Sequence, residues 1–428
     1  MRVFFRQMTT HDLSEGADTH KLTGAQRRTT WAVLGTALAA RLLMLWSTLV
    51  VHPPTWLYSR GIEMGLLADS LLHGHGYSSP FGVSTGPTAF IAPGYPTLIA
   101  AIFLIFGTYS FASAIAIMGL QILVSLATIW LMMRIAREAL DEQTAVVAGV
   151  FWALSLPVLF IPTIFWETSL SACAMVGLIA AALRCDRSPS MRLWIATGAG
   201  CGVVGLINPA LLPSILAVLG WAAWKTWKRI RMAPVVGLLA LLLVYSPWPI
   251  RNAYRFHAFI PMRSTVGFEL WMGNRPGATG YLDESLFPMY DKQELASYIA
   301  KGELAYTRDK SDAAKTYILA HPGVFARMTL RRTIRFWTGT GNNPGSVFYA
   351  IHAVLTGALG FAALALLYRR GARGFAVLMA LPLLLFPIPY YITHAEFRYR
   401  LVIDSLMTVL AAYAVTQFAA RFHVEAEE

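Results

Sequence analysis

Apolar residues in this chain come in runs long enough to cross a bilayer, and that feature leaves few folds open. A hydrocarbon core of roughly 30 Å takes about 20 residues of helix. Trp31 to Val51 is the first such run. Others follow at about 109–133, 144–162, 167–184, 192–207, 209–224, 232–249, 346–368, 374–392 and 400–420. Backbone polar groups in lipid must be satisfied within their own segment, so these spans are expected as helices. Hydrophobic residues make up 56% of the 428 and charged residues only 14%, against about 25% charged in soluble domains. So little charge cannot solvate a globular surface. A cytosolic enzyme, a nucleic-acid module and a disordered chain are all poor fits, and an all-α polytopic membrane protein is expected.

The net charge of +12 matters less than where the charges fall. Residues 1–28 are polar and basic, and the first run has no cleavage site before His52-Pro53-Pro54, so it reads as a signal anchor rather than a signal peptide. Arg134 and Arg137, then Arg184, Arg187 and Arg192, then Lys225, Lys228, Arg229 and Arg231, then Arg369, Arg370 and Arg373 share the N-terminal side if there are ten spans. That side is then cytoplasmic, and both termini with it. Pro93 to Gly107 is apolar but short, and counting it as a span would invert every later loop. It is placed as a helix lying in, or dipping into, the outer membrane interface. The expected layout is a cytoplasmic tail at 1–28, a transmembrane catalytic module at 29–249 with a first outer loop at 52–108, and a mostly helical exterior domain at 250–345. C-terminal transmembrane helices at 346–421 and a short tail at 422–428 complete it. Within the exterior segment Asp291 and Ser311 are candidate N-caps and His321-Pro322 a stop. Cys173, Cys185 and Cys201 are too few for a disulfide framework.

Ionisable groups at the outer ends of spans are the informative ones, because charge at membrane depth is costly unless it serves a cavity or a partner. Glu63 and Asp69 lie on one expected interfacial helix but point in different directions. One acid facing a cavity, or both holding the helix at the interface, are the two readings. Glu167 opens the fourth span among Phe165, Trp166 and Leu170, where it either lines water or caps the helix. THAEFRYR packs His394, Glu396, Arg398 and Arg400 into a short outer loop, for phosphate binding or for internal pairing. PWPIRNAYRF sends Arg251 and Arg255 outward. In VFARMTLRRTIRFW, Arg327, Arg331, Arg332 and Arg335 form a basic amphipathic helix, with Arg332 and Arg335 expected on lipid headgroups. Arg41 is read as facing the bundle, with Asp404 as a candidate partner. His73 and His75 sit in a glycine turn without acidic or cysteine company, so no metal site is assigned.

These parts occur in a telling order. An acid beyond the first span precedes A-x-S-L-L-x-G-x-G at Ala68 to Gly76, then GPTAF and APGYPTLIAAIFLIFG, a second acid at Glu167, and PWPIRN before a large outer segment. Together they resemble the GT-C superfamily of integral-membrane glycosyltransferases, in particular the bacterial relatives of protein mannosyltransferases and lipid A aminoarabinose transferases. The resemblance implies a GT-C-like fold and transfer of a sugar, with inversion, from a polyprenyl-phosphate donor to an acceptor hydroxyl at the outer face of the cell membrane. The acceptor would be an envelope glycan, lipid or protein, with membrane lipids as neighbours and no nucleic acid. The family's first-loop acid is usually aspartate; here Glu63 stands for it as catalytic base and Glu167 matches a second outer acid. Asp69, Tyr95, Arg251, Arg255, His394, Glu396 and Arg398 are the expected substrate contacts. No cofactor is implied, and members of the superfamily differ in metal dependence. A transporter or flippase of lipid-linked sugars is the rival reading, since Asn208-Pro209 interrupts an apolar stretch.

Overall fold

The computed structural model describes residues 22–52, 54–59, 61–339 and 346–427, and these are helical almost throughout. Six helices are long and apolar enough to cross a membrane: Gly24–Val51, Phe111–Ala139, Thr168–Arg187, Ser346–Arg369, Arg373–Ile392 and Phe397–Ala420. Two broken pairs raise the number to eight. Glu142–Leu154 bends by 58° into Leu156–Thr163, and Met232–Tyr245 bends by 41° into Pro247–Phe256. The chain is a multi-pass membrane protein. Ten spans are not reached on length and composition, because Met191–Ile207 and Leu212–Thr226 are shorter. Pro93 to Gly107 yields one 13-residue helix, Gly94–Phe106, about 20 Å long and too short to cross.

Local chemistry sets the helix boundaries. Thr23 and Gln26 form a capping box at the start of Gly24–Val51, while Ser110, Asp141 and Ser190 cap Phe111–Ala139, Glu142–Leu154 and Met191–Ile207 through their side chains. The two breaks fall just before Pro157 and Pro247, where a missing N–H cannot continue the ladder. Asp291 caps Lys292–Lys301 as expected, but Ser311 lies inside Glu303–Ala320 rather than at its start. Met191–Ile207 packs backbone to backbone against Met232–Tyr245. A Cβ on Gly198 would fall 1.8 Å from the Gly237 carbonyl oxygen, so only glycine permits this approach.

Phe397–Ala420 is the central post of the bundle and the most buried span. It carries Asp404, which meets Arg400 at 2.9 Å and His352 at 3.2 Å. Arg400 also donates to the Ala353 carbonyl at 2.6 Å and to Thr356 at 2.9 Å. This corrects the expected Arg41–Asp404 pair. Arg41 is spent instead on the Ser125 hydroxyl at 3.0 Å and on the Ala37 and Ala153 carbonyls, so a neutral cage of oxygens satisfies it.

The ends of the bundle differ in character. At one end, arginines staple neighbouring helices: Arg134 and Arg187 both reach Glu138 at 2.6 Å, Arg137 reaches Glu142 at 2.7 Å, and Arg229 reaches Asp186 at 2.9 Å. At the other end a cap covers the bundle. It is built from both large connecting segments, whose side chains share one core: Leu67, Tyr77, Phe81 and Phe90 pack with Phe268, Tyr298 and Tyr306. Glu303 pins the two together. Its carboxylate accepts from the Ala89 amide at 2.7 Å and Thr88 at 2.5 Å on one segment, and from Ser264 at 2.7 Å and Tyr298 at 2.6 Å on the other.

Candidate functional site

A cavity of about 790 Å³ opens where the cap meets the bundle, at the end away from the stapled arginines. Glu63 enters it from the first turn of Ile62–Leu72. The residue before that helix, Gly61, has φ +81°, and a Cβ there would lie 2.2 Å from the Phe165 carbonyl oxygen. That approach lays the Glu63 helix directly on the segment leading to Glu167. The segment is held from the other side by Gln121, which donates to the Ile164 carbonyl at 2.7 Å. Glu167 then sits at the N-cap of Thr168–Arg187 and also lines the cavity.

Neither acid is neutralised by a close partner. The Glu63 carboxylate makes no hydrogen bond to another described residue, and Glu167 Oε2 is buried with no hydrogen-bond partner. Burial pushes the Glu63 pKa up. Arg398 and Arg263 oppose the shift, while Glu284 reinforces it. Burial and the charges of Glu63 and Glu284 likewise push up the pKa of Tyr290, which also lines the cavity.

Charged groups of both signs line the same cavity, Arg398 and Arg263 with Glu396 and Glu269. Arg398 lies over the Trp166 ring at 4.1 Å, donates from Nε to Glu396 at 2.7 Å and from Nη2 to the Tyr399 hydroxyl at 3.2 Å. Its remaining N–H groups have no protein acceptor among the described residues, leaving part of the guanidinium fork for a ligand. His394 is 2.9 Å from the Tyr399 hydroxyl through Nε2 and 3.2 Å from Glu269 through Nδ1. Glu269 stands 4.0 Å from Arg263, which is itself tied to the Phe90 carbonyl at 3.0 Å. Burial depresses the His394 pKa; Glu269 and Glu396 oppose that shift, and Arg398 and Arg332 add to it.

Five of the expected site residues therefore meet at one cavity: Glu63, Glu167, His394, Glu396 and Arg398. Four do not line it. Asp69 faces away and pairs with exposed His73 at 3.2 Å. Tyr95 is buried at 2% exposure in the packing beneath, its hydroxyl without a partner. Arg251 is turned toward the first large segment, where it donates to the Thr88 carbonyl at 2.7 Å and the Tyr77 carbonyl at 2.8 Å. Arg255, one helical turn on, is exposed.

Arg332 and Arg335 also depart from expectation, being buried rather than laid on headgroups. Arg332 donates to Asn274 at 3.0 Å and to the Tyr391 and Ile392 carbonyls. Arg335 stacks on Tyr281 at 3.6 Å and lines the cavity. With Phe336 they form the inward face of Pro322–Thr338, leaving Arg327 and Arg331 exposed. Sequence reasoning missed Arg263, Glu269 and Tyr399. Glu269 carried a usable signal, a carboxylate between Phe268 and Leu270, the same pattern that singled out Glu167. Among the described residues no three His, Cys, Asp or Glu side chains are grouped to hold a metal.

The family model for dolichyl-phosphate-mannose-protein mannosyltransferase matches residues 91–250, less than half of the chain. No curated protein sequence gives a significant match. The crystal structure of the Archaeoglobus fulgidus oligosaccharyltransferase in the apo form superposes with a TM-score of 0.56 at 14% identity, covering 94% of this chain and 51% of that one. The fold is GT-C-like. The archaeal oligosaccharyltransferase AglB from the same organism, in complex with an inhibitory peptide and a dolichol-phosphate, gives 0.54 at 14% identity over 95% and 52%. This chain thus spans about half the length of those GT-C-like proteins. ArnT from Cupriavidus metallidurans bound to undecaprenyl phosphate gives 0.40 at 16% identity over 91% and 79%.

Proposed function

We propose that this protein is a glycosyltransferase that moves a sugar, with inversion, from a polyprenyl-phosphate-linked donor to an acceptor hydroxyl at the outer face of the cytoplasmic membrane. The observation that carries the reading is one cavity lined by two carboxylates, Glu63 with no hydrogen bond to another described residue and Glu167 with Oε2 unpartnered, together with the partly unsatisfied Arg398. The family match at residues 91–250 supports the reaction class, and the dolichol-phosphate named with AglB supports the donor class.

In this reading Glu63 takes the acceptor hydroxyl proton as the new bond to the anomeric carbon forms. The old carbon–oxygen bond breaks with its electron pair passing to the phosphate, whose charge Arg398 and Arg263 receive. That leaving group is already an anion, so no general acid is required. Glu167 orients the acceptor. Incubating purified protein with radiolabelled polyprenyl-phosphate sugars and a membrane extract tests it; no labelled product from any donor would remove the transferase reading.

Donor binding should separate Arg398 from Arg251. Lysine cannot reproduce a bidentate guanidinium contact, so Arg398→Lys should raise the donor KM about tenfold, the loss of one charge-assisted hydrogen bond. Arg251→Lys, which instead loses carbonyl contacts inside the cap, should lower the melting temperature with little change in donor KM. Steady-state kinetics beside a thermal melt reads both, and a donor KM unmoved in Arg398→Lys would take phosphate away from that side chain.

The basic end is assigned to the cytoplasm with both termini, and residues 250–345 to the exterior, on the placement of Lys and Arg. Ten crossings, with the two shorter helices counted, give that sidedness. Ala300→Cys in a background lacking the three native cysteines checks it, since position 300 is exposed. An impermeant maleimide should label it in intact cells. Labelling only after the inner face is opened would invert the topology.

A further inference from the structure

A chain of contacts centred on the Tyr399 hydroxyl runs along the cavity wall. Arg398 Nη2 lies 3.2 Å from the Tyr399 hydroxyl oxygen, and a guanidinium can only donate. His394 Nε2 lies 2.9 Å from the same hydroxyl. In one tautomer the phenol donates to the ring, and in the other the ring donates to a phenolic oxygen that has two lone pairs. Either way His394 anchors the oxygen that receives Arg398. His394 Nδ1 lies 3.2 Å from Glu269 Oε2, but neither atom makes a hydrogen bond.

The chain is held rigid along its length. His394 is 2% exposed, Tyr399 stacks on Tyr390 with ring centres 4.3 Å apart, and Arg263 stands by Glu269 at 4.0 Å. Held between His394 and the Tyr390 ring, the Tyr399 oxygen meets Arg398 at a fixed place.

We propose that His394 is a positioning residue that acts through the Tyr399 hydroxyl to hold the Arg398 guanidinium toward a phosphate in the cavity. This rests on the donor reading given above. Its elements sit close in the chain, His394 in the loop before the last helix and Arg398 and Tyr399 in that helix's first turn. The relay therefore joins that loop to the helix at the point where donor charge would develop.

The test uses the full-length protein in detergent and farnesyl phosphate as probe, with binding followed by phosphorus NMR and folding by a thermal melt. His394→Leu and Tyr399→Phe should each weaken binding about tenfold, as expected for releasing one contact to a charged group. In transfer assays the donor KM should rise more than kcat falls. His394→Gln places a side-chain oxygen near the former Nε2 and should restore most of the affinity, which a purely space-filling role for His394 does not predict. Tyr399→Phe keeps the stack on Tyr390 and guards against a misfolded histidine variant. Unchanged binding in Tyr399→Phe, or equal losses in His394→Gln and His394→Leu, overturns the relay while leaving the donor reading intact. Failure of the unaltered protein to bind the probe overturns both.

Discussion

Glu63→Gln should lower single-turnover transfer by about 10²–10⁴, the range for loss of a general base, while the protein folds as well as before or better. The two effects share one cause. The carboxylate is held in a cavity with no hydrogen bond to another described residue, and burial raises its pKa above the ordinary 4.5. A buried acid that is harder to ionise is a stronger base once ionised. Because the folded pKa is raised, the folded state binds the proton more tightly than the unfolded one. Its contribution to stability is full below about 4.5 and falls as pH rises through the folded value. Glutamine removes that loss at neutral pH. Transfer by the unaltered enzyme should run the other way, rising with pH across the same interval as the base ionises. Single-turnover transfer at saturating donor, with a melt of each variant, measures both. Near-normal transfer by Glu63→Gln would end its candidacy, and a severe loss confined to Glu167→Gln would transfer the role to Glu167.

Glu303→Ala should be the most damaging single change to the fold, costing about 3–5 kcal/mol by the cost of breaking a buried charged network. The carboxylate is 5% exposed and receives four donors, two from each segment of the cap. Alanine leaves the Thr88 and Tyr298 hydroxyls, the Ala89 amide and the Ser264 hydroxyl to find other acceptors in an apolar core. Glu303→Gln should cost less, since one oxygen still accepts while the new amide hydrogens face donors. Melting in detergent would show a large drop for alanine and an intermediate one for glutamine. Equal, small shifts would mean that the aromatic core alone holds the segments together.

What could be read in the sequence followed from lipid acting as solvent. Runs of apolar residues, prolines that break them and side-chain caps gave the helices, and acids stranded beside apolar runs gave Glu63 and Glu167. The cluster His394, Glu396 and Arg398 stood out because it combines opposite charges in a short loop. Partners across the chain stayed hidden. Spacing assigns a residue to a helix face, but it does not say that Arg251 will find the Thr88 and Tyr77 carbonyls, or that Arg41 will be caged by Ser125 and main-chain oxygens. Arg332 and Arg335 show the same limit from the other side. A basic amphipathic helix is ambiguous between lipid headgroups and buried carbonyls until the facing surface, here Gly273 to Asn274 and Tyr391 to Ile392, is known.

The contact of Gly61 with the Phe165 carbonyl has a mechanical consequence. It fixes the acid-bearing ends of two helices to each other through main chain rather than through side chains that can change rotamer. Spanning helices tilt when bilayer thickness changes, and a site assembled from separate spans would be pulled apart by that tilt. Here the short Glu63 helix rides on the segment that opens the Glu167 helix, so tilting one carries the other with it. The separation of the two carboxylates is thereby insulated from the lipid composition around the protein.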